Sequence, residues 1–309
     1  MSDENHYDVI IVGVGPAGLT SAIYACRAEK KTLVLEKNAF GGQIVSTKDI
    51  ENYPGKMGVS GFELAKEMYD QAVKLGAKFE FEKVTKISNL ESGEKKVETE
   101  DDVYFAKAVI IATGAKNRQL GLKNEERLTG RGISYCATCD GAFYKGKTVA
   151  VQGGGNVAVE DAIYLSDLCE KVYLVHWLDE FQADEKNVSR LKSLKNVEII
   201  LGFSVSELEI DETKKLSKVK IKAKESDEER ELEVSGLFVA IGQIPETEAF
   251  SELIKTNKFG YFDSKEDCLT NVPGIFVAGD CREKSVRQLV TATSDGAISA
   301  ISAISYLNK

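Results

Sequence analysis

The feature that most constrains the fold of this chain is a sequence layout that occurs twice. Residues 7–37 and residues 147–177 each contain a β-branched run, a glycine turn, an alanine-rich helical stretch and a second apolar run. Strand periodicity followed by helix periodicity around a glycine turn is typical of a βαβ unit with parallel strands. Because the layout is seen only twice and at a long spacing, it indicates two duplicated domains and not a solenoid.

The two units predict an α/β fold made of two Rossmann-like domains. An apolar run near the C-terminus, residues 274–280, ends in a carboxylate and precedes a predicted helix over residues 289–306. We expect this terminal segment to return to the first domain. The prediction is therefore a discontinuous first domain, residues 1–117 plus 246–309, into which a second domain, residues 118–245, is inserted.

Composition limits the classes of function. The net charge of −9 argues against nucleic-acid and anionic-membrane partners, because both require a basic face. No apolar run approaches the ~20 residues of a membrane span, and no basic region with a cleavable apolar stretch opens the chain. We therefore expect a cytoplasmic protein. The two histidines, His6 and His176, are too few for a histidine-rich metal site, and no metal is expected.

The first glycine turn has the features of a dinucleotide site. Gly13-Val14-Gly15-Pro16-Ala17-Gly18 follows a predicted strand and opens a predicted helix. The glycines permit a tight turn, backbone approach to a pyrophosphate and close helix packing, and the helix N-terminus adds N–H donors. Glu36 ends the second strand, where its carboxylate accepts ribose hydroxyls and repels a 2′-phosphate. FAD or NAD therefore fits this site, and NADP does not.

Residues beyond the first βαβ unit favour FAD over NAD. They are Gly41-Gly42-Gln43, Asn52 and the distant Gly279-Asp280. The ribityl chain makes the flavin cofactor longer, and its hydroxyls need polar partners outside the first unit. We therefore expect FAD as the cofactor.

A pair of cysteines supplies a redox constellation. Cys136-Ala137-Thr138-Cys139-Asp140 places two thiols within reach of a reducible disulfide, beside a carboxyl group that can give and take protons. Two other interpretations stay open, half of a zinc site and a pair of inert buried thiols. Zinc would need two further ligands, and the sequence has no second paired motif. The isolated Cys26 and Cys169 are expected to be packing residues.

Taken together, these residues resemble the low-molecular-weight thioredoxin reductases, a group of flavoprotein disulfide reductases, over essentially the whole chain. The resemblance implies an FAD domain built from both ends of the chain, a middle domain that carries the dithiol, a homodimer, and thioredoxin as protein substrate. It also implies that Cys139 faces the flavin, that Cys136 attacks the partner disulfide and that Asp140 is the acid/base. The landmarks are Gly13-Val14-Gly15-Pro16-Ala17-Gly18, Gly41-Gly42-Gln43, Asn52-Tyr53-Pro54-Gly55, Ala112-Thr113-Gly114-Ala115, Cys136-Ala137-Thr138-Cys139-Asp140, Gly279-Asp280 and Arg287-Gln288-Leu289.

The FAD contacts expected on this basis come from both ends of the chain. The complete set is Gly13, Gly15, Pro16, Ala17, Glu36, Lys37, Gly42, Gln43, Asn52, Val84, Ala112, Gly114, Gly279, Asp280, Arg287, Gln288 and Leu289. Of these, Arg287, Gln288 and Leu289 are expected along the flavin at a helix start.

The second glycine turn departs from the resemblance. Members that use NADPH follow it with a histidine and paired arginines, and another arginine four residues on, which clamp the 2′-phosphate. Here the segment reads His176-Trp177-Leu178-Asp179-Glu180-Phe181-Gln182, without any arginine and with two carboxylates. Losing charge-assisted contacts disfavours NADPH, and a histidine in place of the ribose-binding carboxylate disfavours NADH. Helix packing alone then explains Gly153, Gly155 and Ala158.

One subgroup of this family lacks the clamp and takes electrons from reduced ferredoxin, and this chain looks like that subgroup. The predicted activity is FAD-dependent reduction of thioredoxin through the Cys136–Cys139 disulfide, with ferredoxin as the donor. The alternatives are a thioredoxin reductase that uses NADH or another donor, a dithiol oxidase that passes electrons to oxygen, and a non-catalytic flavin redox sensor. For Trp177 the hypothesis is that its ring occupies the vacated adenine position.

Overall fold

The computed structural model of the chain describes residues 5–309 and divides into two compact units. Unit 1 combines the N-terminal part, up to Lys116, with Ile244–Lys309. Unit 2 is the segment between them, Asn117–Gln243. The second unit is therefore inserted into the first.

Both units contain β-strands and α-helices. Within residues 5–309 the strands are β1 (His6–Val12), β2 (Thr32–Leu35), β3 (Lys78–Glu80), β4 (Val84–Asn89), β5 (Lys95–Thr99), β6 (Val103–Ile111), β7 (Ala115–Asn117), β8 (Ile133–Ser134), β9 (Thr148–Gln152), β10 (Lys171–His176), β11 (Val197–Leu201), β12 (Phe203–Ile210), β13 (Leu216–Ala223), β14 (Glu229–Glu233), β15 (Gly236–Val239), β16 (Gln243–Pro245) and β17 (Ile275–Val277). The α-helices are α1 (Pro16–Arg27), α2 (Gly61–Lys74), α3 (Glu125–Leu128), α4 (Ala137–Asp140), α5 (Asn156–Ser166), α6 (Glu185–Ser193) and α7 (Leu289–Leu307).

Unit 1 is built on one large mixed sheet with the order β3-β2-β1-β6-β5-β4. Strands β1, β2, β3 and β6 are parallel, whereas β4 and β5 form an antiparallel extension. The two halves of β6 have different neighbours, because β5 pairs with its first half and β17 pairs in parallel with Val109–Ile111. The carboxyl ends of β1, β6 and β17 therefore lie side by side, which is where an open α/β sheet binds its ligands.

Helices α1 and α7 pack closely on this sheet. A Cβ atom at Gly296 of α7 would lie 2.3 Å from the carbonyl oxygen of Ala17 in α1, so only glycine allows this approach. The hydroxyl of Ser21 bonds with that of Ser299 across the same contact, at 3.2 Å. Small residues thus bring the C-terminal helix against the helix that follows the first glycine turn.

Unit 2 repeats the α/β plan on a smaller scale. Its five-stranded parallel sheet has the order β11-β10-β9-β15-β8, and its second sheet is the antiparallel β12-β13-β14. Helix α5 begins directly after the second glycine turn, as α1 does after the first. The prediction of an α/β fold with two Rossmann-like domains is confirmed. Over residues 5–309, none of the helices combines the length and the apolar character needed to cross a membrane.

Candidate functional site

A cavity of about 800 Å³ lies within unit 1, at the carboxyl ends of β1, β6 and β17. Most of the residues expected to bind FAD meet on its wall, although they come from both ends of the chain. They are Gly13, Gly15, Pro16, Ala17, Glu36, Lys37, Gly42, Gln43, Val84, Ala112, Gly114, Gly279, Asp280, Gln288 and Leu289.

The first glycine turn has the geometry of a pyrophosphate cradle. Gly13 has φ of 109°, and a Cβ atom there would lie 2.4 Å from the carbonyl oxygen of Ala112. A Cβ atom at Gly18 would lie 1.9 Å from the carbonyl oxygen of Gly13. At Gly15 the nearest atom to such a Cβ is the Cα of Gly42, at 4.0 Å. The turn is therefore tightly packed at Gly13 and Gly18 and open at Gly15. The N–H groups at the start of α1 are accessible to a ligand on this open side.

Glu36 is fixed at the end of β2 by backbone donors. Its Oε2 accepts a hydrogen bond of 2.9 Å from the N–H of Val14, and its Oε1 accepts one of 3.0 Å from Asn38. Each carboxylate oxygen has two acceptor sites, so capacity for ribose hydroxyls remains. The carboxylate thus lies beside the glycine turn, as a ribose-binding acid must.

Asp280 is a half-buried carboxyl group on the wall of the same cavity. Its Oδ1 atom is buried without a hydrogen-bond partner among the described residues. Burial raises the pKa of Asp280, against the opposing charges of Lys284 and Arg287. A buried acceptor on a cavity wall calls for a donor from the ligand, and a hydroxyl of a ribityl chain supplies one.

Two of the expected FAD contacts, Asn52 and Arg287, are not on the cavity wall. The Nδ2 atom of Asn52 donates to Oε1 of Gln288 at 3.3 Å, so Asn52 contacts a wall residue. The guanidinium of Arg287 lies 4.1 Å from the centre of the Tyr261 ring. The Nε atom of Arg287 donates to the carbonyl oxygen of Asp280 at 3.5 Å, so both side chains contact wall residues.

Glu246 is a polar wall residue that the sequence did not predict. Its Oε1 forms ion pairs with Lys37 at 2.6 Å and with Lys116 at 2.7 Å. Burial alone would raise the pKa of Glu246, but the hydrogen bonds and charges of the two lysines outweigh it and hold the pKa below its usual range. Glu246 sits in no motif, so only the folded chain reveals this partnership.

The wall residues fit FAD. A cavity of this volume accommodates a large ligand, and its polar groups occur at separate places: the open glycine turn, the Glu36 carboxylate and the unpartnered oxygen of Asp280. A pyrophosphate, an adenosine ribose and a ribityl chain require such groups.

Cys136 and Cys139 of unit 2 are joined as a disulfide around the first turn of α4, with their Cα atoms 5.3 Å apart. The neighbouring Asp140 is anchored by Ser134, whose hydroxyl donates to Oδ2 of Asp140 at 2.6 Å. Burial raises the pKa of the Asp140 carboxyl, and the bond from Ser134 opposes that rise. A carboxyl group with a raised pKa beside a disulfide is suited to delivering a proton to a departing thiolate.

The other cysteines lack this setting. Cys169, Cys268 and Cys281 are buried and Cys26 is half-buried, and burial raises the pKa of each thiol. Such thiols react slowly. Across residues 5–309, no group of three or more histidine, cysteine or acidic side chains could hold a metal ion.

A histidine ring covers the second glycine turn. His176 is the last residue of β10, whereas Glu36 directly follows β2. The ring of His176 covers Gly154, since a Cβ atom at Gly154 would lie 2.3 Å from that ring. Burial lowers the pKa of His176, so the ring is neutral at physiological pH and replaces the ribose-binding carboxylate. The backbone N–H of Gln182 donates to the carbonyl oxygen of Gly154 at 2.8 Å, so residue 182 also lies against this glycine turn.

The segment after His176 also lacks a cationic clamp. Residues 177–182 contain no lysine or arginine, and Asp179 and Glu180 are exposed there. Trp177 is 50% exposed, with the Nζ atom of Lys224 lying 5.3 Å from the centre of its ring. Residues 177–182 themselves therefore contribute no bidentate donor to a 2′-phosphate.

Comparisons with known proteins point to one family of oxidoreductases over nearly the whole chain. Residues 7–296 match the family model of the pyridine nucleotide-disulphide oxidoreductases. A thioredoxin reductase of Bacillus subtilis is 42% identical over 310 residues, covering 100% of this chain and 97% of that protein. A 34.2 kDa protein in the rubredoxin operon of Clostridium pasteurianum is 44% identical over 308 residues, with 99% of each covered. The crystal structure of a thioredoxin reductase from Streptococcus pyogenes matches with a TM-score of 0.93 and 41% identity, covering 98% of this chain and 99% of that one.

Proposed function

Because the chain belongs to the pyridine nucleotide-disulphide oxidoreductase family, we propose that it is a thioredoxin reductase whose electron donor is reduced ferredoxin and not NADPH. The observation that carries the proposal is the contrast between its two glycine turns. The first has its ribose-binding acid and opens on a cavity that fits FAD, whereas His176 covers the second. The Cys136–Cys139 disulfide, with its half-buried carboxyl neighbour Asp140, supplies the group that passes electrons onward.

FAD, which the thioredoxin reductases of this family bind, is the cofactor of this chain and supplies two-electron chemistry when bound. In our proposal unit 1 is the FAD domain. The N–H groups at the start of α1 hold the pyrophosphate, Glu36 holds the adenosine ribose, and Asp280 accepts a hydrogen bond from the ribityl chain. The wall made by Gln288 and Leu289 orients the flavin ring.

The disulfide exchanges two electrons and two protons with its surroundings. In the reduced enzyme, the Cys136 thiolate attacks the disulfide of thioredoxin, and one thioredoxin sulfur leaves as a thiolate. Cys139 then attacks Cys136 in the mixed disulfide, which re-forms the Cys136–Cys139 bond and releases the second thioredoxin sulfur. Asp140 donates and recovers a proton during these steps, because each thiolate that leaves must be protonated.

The assignment of the donor rests on the lack of cationic side chains in residues 177–182 of unit 2. NADPH binding requires cations around the 2′-phosphate, and residues 177–182 offer only neutral and acidic side chains. A one-electron carrier protein needs no such site, since it reduces a flavin by approaching its edge. The similarity to a clostridial protein encoded with rubredoxin is compatible with small iron proteins as partners.

Anaerobic bleaching of the flavin tests the donor directly. The oxidised holoenzyme is mixed with NADPH, NADH or photoreduced ferredoxin in the presence of thioredoxin, and the visible flavin absorbance is followed. Fast bleaching by ferredoxin with formation of thioredoxin dithiol is expected. Fast bleaching by either pyridine nucleotide would refute the donor assignment, and bleaching by ferredoxin without thioredoxin reduction would refute the substrate assignment.

We further propose that the enzyme is a cytoplasmic homodimer, which the resemblance to low-molecular-weight thioredoxin reductases supports. Light scattering coupled to gel filtration of the holoenzyme is expected to give twice the chain mass of 33.8 kDa. A mass that stays at the monomer value across a wide concentration range would exclude the dimer.

A further inference from the structure

A buried cluster of three charged side chains lies behind the FAD cavity in unit 1. Asp295 of α7 receives a bidentate contact from Arg282, with Nε to Oδ2 at 2.9 Å and Nη2 to Oδ1 at 3.1 Å. The Nζ atom of Lys284 donates to Oδ2 of the same carboxylate at 2.8 Å. The three side chains are between 6% and 10% exposed, so water screens their charges little.

The cluster carries a net charge of +1, because one carboxylate neutralises only one of its two cations. Burial alone would raise the pKa of Asp295, but the hydrogen bonds and charges of Arg282 and Lys284 outweigh it and hold the pKa below its usual range. Asp295 is therefore ionised at physiological pH. A fixed excess positive charge thus remains inside the protein.

The cluster is attached directly to the cavity wall. The backbone N–H of Gly279 donates to Oδ2 of Asp295 at 3.1 Å, and both Gly279 and Asp280 line the cavity. Gly279 has φ of 77°, and a Cβ atom there would lie 2.9 Å from the Cβ of Ala17, so this turn is held in one narrow arrangement. The charge of Lys284 also acts on the Asp280 carboxyl.

The positive end of α7 points to the same part of the wall. Gln288, its N-cap residue, and Leu289, its first residue, both line the cavity. The 19-residue helix adds a partial positive charge at its N-terminus. Two positive sources, the helix end and the cluster, therefore lie next to the part of the wall that Gly279, Asp280, Gln288 and Leu289 form.

We propose that Asp295 is a positioning residue that fixes the Gly279–Asp280 turn against the bound FAD and, together with Arg282 and Lys284, sets the reduction potential of that FAD. Reduction adds electrons to the flavin, and the reduced form is stabilised by nearby positive charge. Removing the negative charge of Asp295 leaves the cluster at +2 and raises the potential. Removing the positive charge of Lys284 leaves the cluster neutral and lowers it.

The test measures the midpoint potential of the holoenzyme by anaerobic equilibration with a reference dye. Asp295→Asn keeps the shape of the side chain and is expected to favour reduced flavin about tenfold, which is about 30 mV for a two-electron couple. Lys284→Met keeps the Arg282–Asp295 pair and is expected to shift the potential in the opposite direction. The Lys284 variant also keeps the test valid if Asp295→Asn does not fold.

Matched controls make the same charge changes on the exposed surface of unit 1, as Asp263→Asn and Lys255→Met. Shifts of opposite sign in the two cluster variants, each larger than its control, would support the proposal. Shifts of the same sign, or shifts within those of the controls, would overturn it and leave the cluster a structural role only. The inference rests on the proposed FAD site in unit 1, but the measurement needs neither thioredoxin nor ferredoxin, so its failure is distinguishable from a failure of the donor or substrate assignment.

Discussion

The hydroxyl of Ser134 connects the two parts of the disulfide site, because it donates to Asp140 at 2.6 Å and accepts the backbone N–H of Cys136 at 3.1 Å. One small side chain at the end of β8 thus orients both the carboxyl group and the backbone of the first cysteine. A bond to the ionised form of a carboxyl group stabilises that form. Ser134 therefore limits how far burial raises the pKa of Asp140.

Replacing Ser134 by alanine is expected to raise the pKa of Asp140 further, so its proton is retained to higher pH. We expect the pH profile for the reaction of the reduced enzyme with thioredoxin disulfide to shift towards higher pH, as measured by stopped-flow kinetics under anaerobic conditions. Ser166→Ala is the control, because that hydroxyl donates to a helix carbonyl, that of Ile163, away from the disulfide motif in sequence. A profile that is the same in both variants would show that Ser134 does not act on the acid/base.

Single replacement of either bridging cysteine is expected to separate the two halves of the reaction. Cys136→Ser and Cys139→Ser remove the disulfide, so thioredoxin reduction should fall to the uncatalysed background while ferredoxin still bleaches the flavin. Cys26→Ser, a change at a half-buried thiol in α1, should leave turnover intact. Steady turnover by either bridging variant would contradict a path through the disulfide.

Restoring cations around the second glycine turn is expected to create affinity for a 2′-phosphate. In Trp177→Arg/Leu178→Arg/Gln182→Arg, each charge-assisted bond contributes about 1.5–3 kcal/mol. Calorimetric titration should therefore show at least a ~10-fold preference for 2′,5′-ADP over ADP. The double variant Trp177→Gln/Leu178→Gln removes the same apolar side chains without adding charge and should show no preference. If the arginine variant shows none either, the missing clamp is not what excludes NADPH.

Lys95 offers a test of stability in unit 1. The side chain is 1% exposed, its Nζ donates to the carbonyl of Gly93, and burial lowers its pKa. The unfolded chain therefore binds more protons than the folded one between the lowered pKa and the ordinary value of 10.5, and the free energy of unfolding rises with pH across that window. Below the lowered pKa, Lys95 is charged in both the folded and the unfolded chain, so the free-energy cost of burying its charge does not change with pH.

Lys95→Met is expected to raise the free energy of unfolding at neutral pH by about 1–3 kcal/mol, the range for a buried polar group that lacks full compensation. The gain should shrink as the pH rises through the window, which thermal unfolding at a series of pH values will show. Lys86→Met, on an exposed face of β4, should change the melting temperature little. A lower melting temperature for Lys95→Met would mean that its packing outweighs the cost of its charge.

The confirmed part of the fold follows from local patterns. The β-branched runs before Gly13 and Gly153, with alanine-rich stretches after them, fix strand, turn and helix within about thirty residues. These local patterns predict strand, turn and helix without knowledge of distant contacts, because they depend on the conformation of the nearby backbone. The Cys136–Cys139 disulfide was predictable for the same reason, since its partners lie in one turn of chain.

The partners of Glu246, Asp295 and Ser134 were not predictable from the sequence. Glu246 meets Lys37 across 209 residues of sequence, and Asp295 meets the backbone of Gly279 only after α7 docks on the sheet. Ser134 is near its partners in sequence, but serine hydroxyls bond their neighbours in many turns, so the type of residue carries no signal. The roles of the individual FAD contacts and the identity of the donor stay predictions.

Trp177 gives the protein a built-in spectroscopic reporter. It is the only tryptophan of the sequence, lies half-exposed in unit 2, and has the Nζ atom of Lys224 over its ring. Tryptophan emission depends on the surroundings of the indole, so this single ring reports on the segment that follows His176. Its fluorescence would therefore register a ligand that binds beside the second glycine turn, without any label.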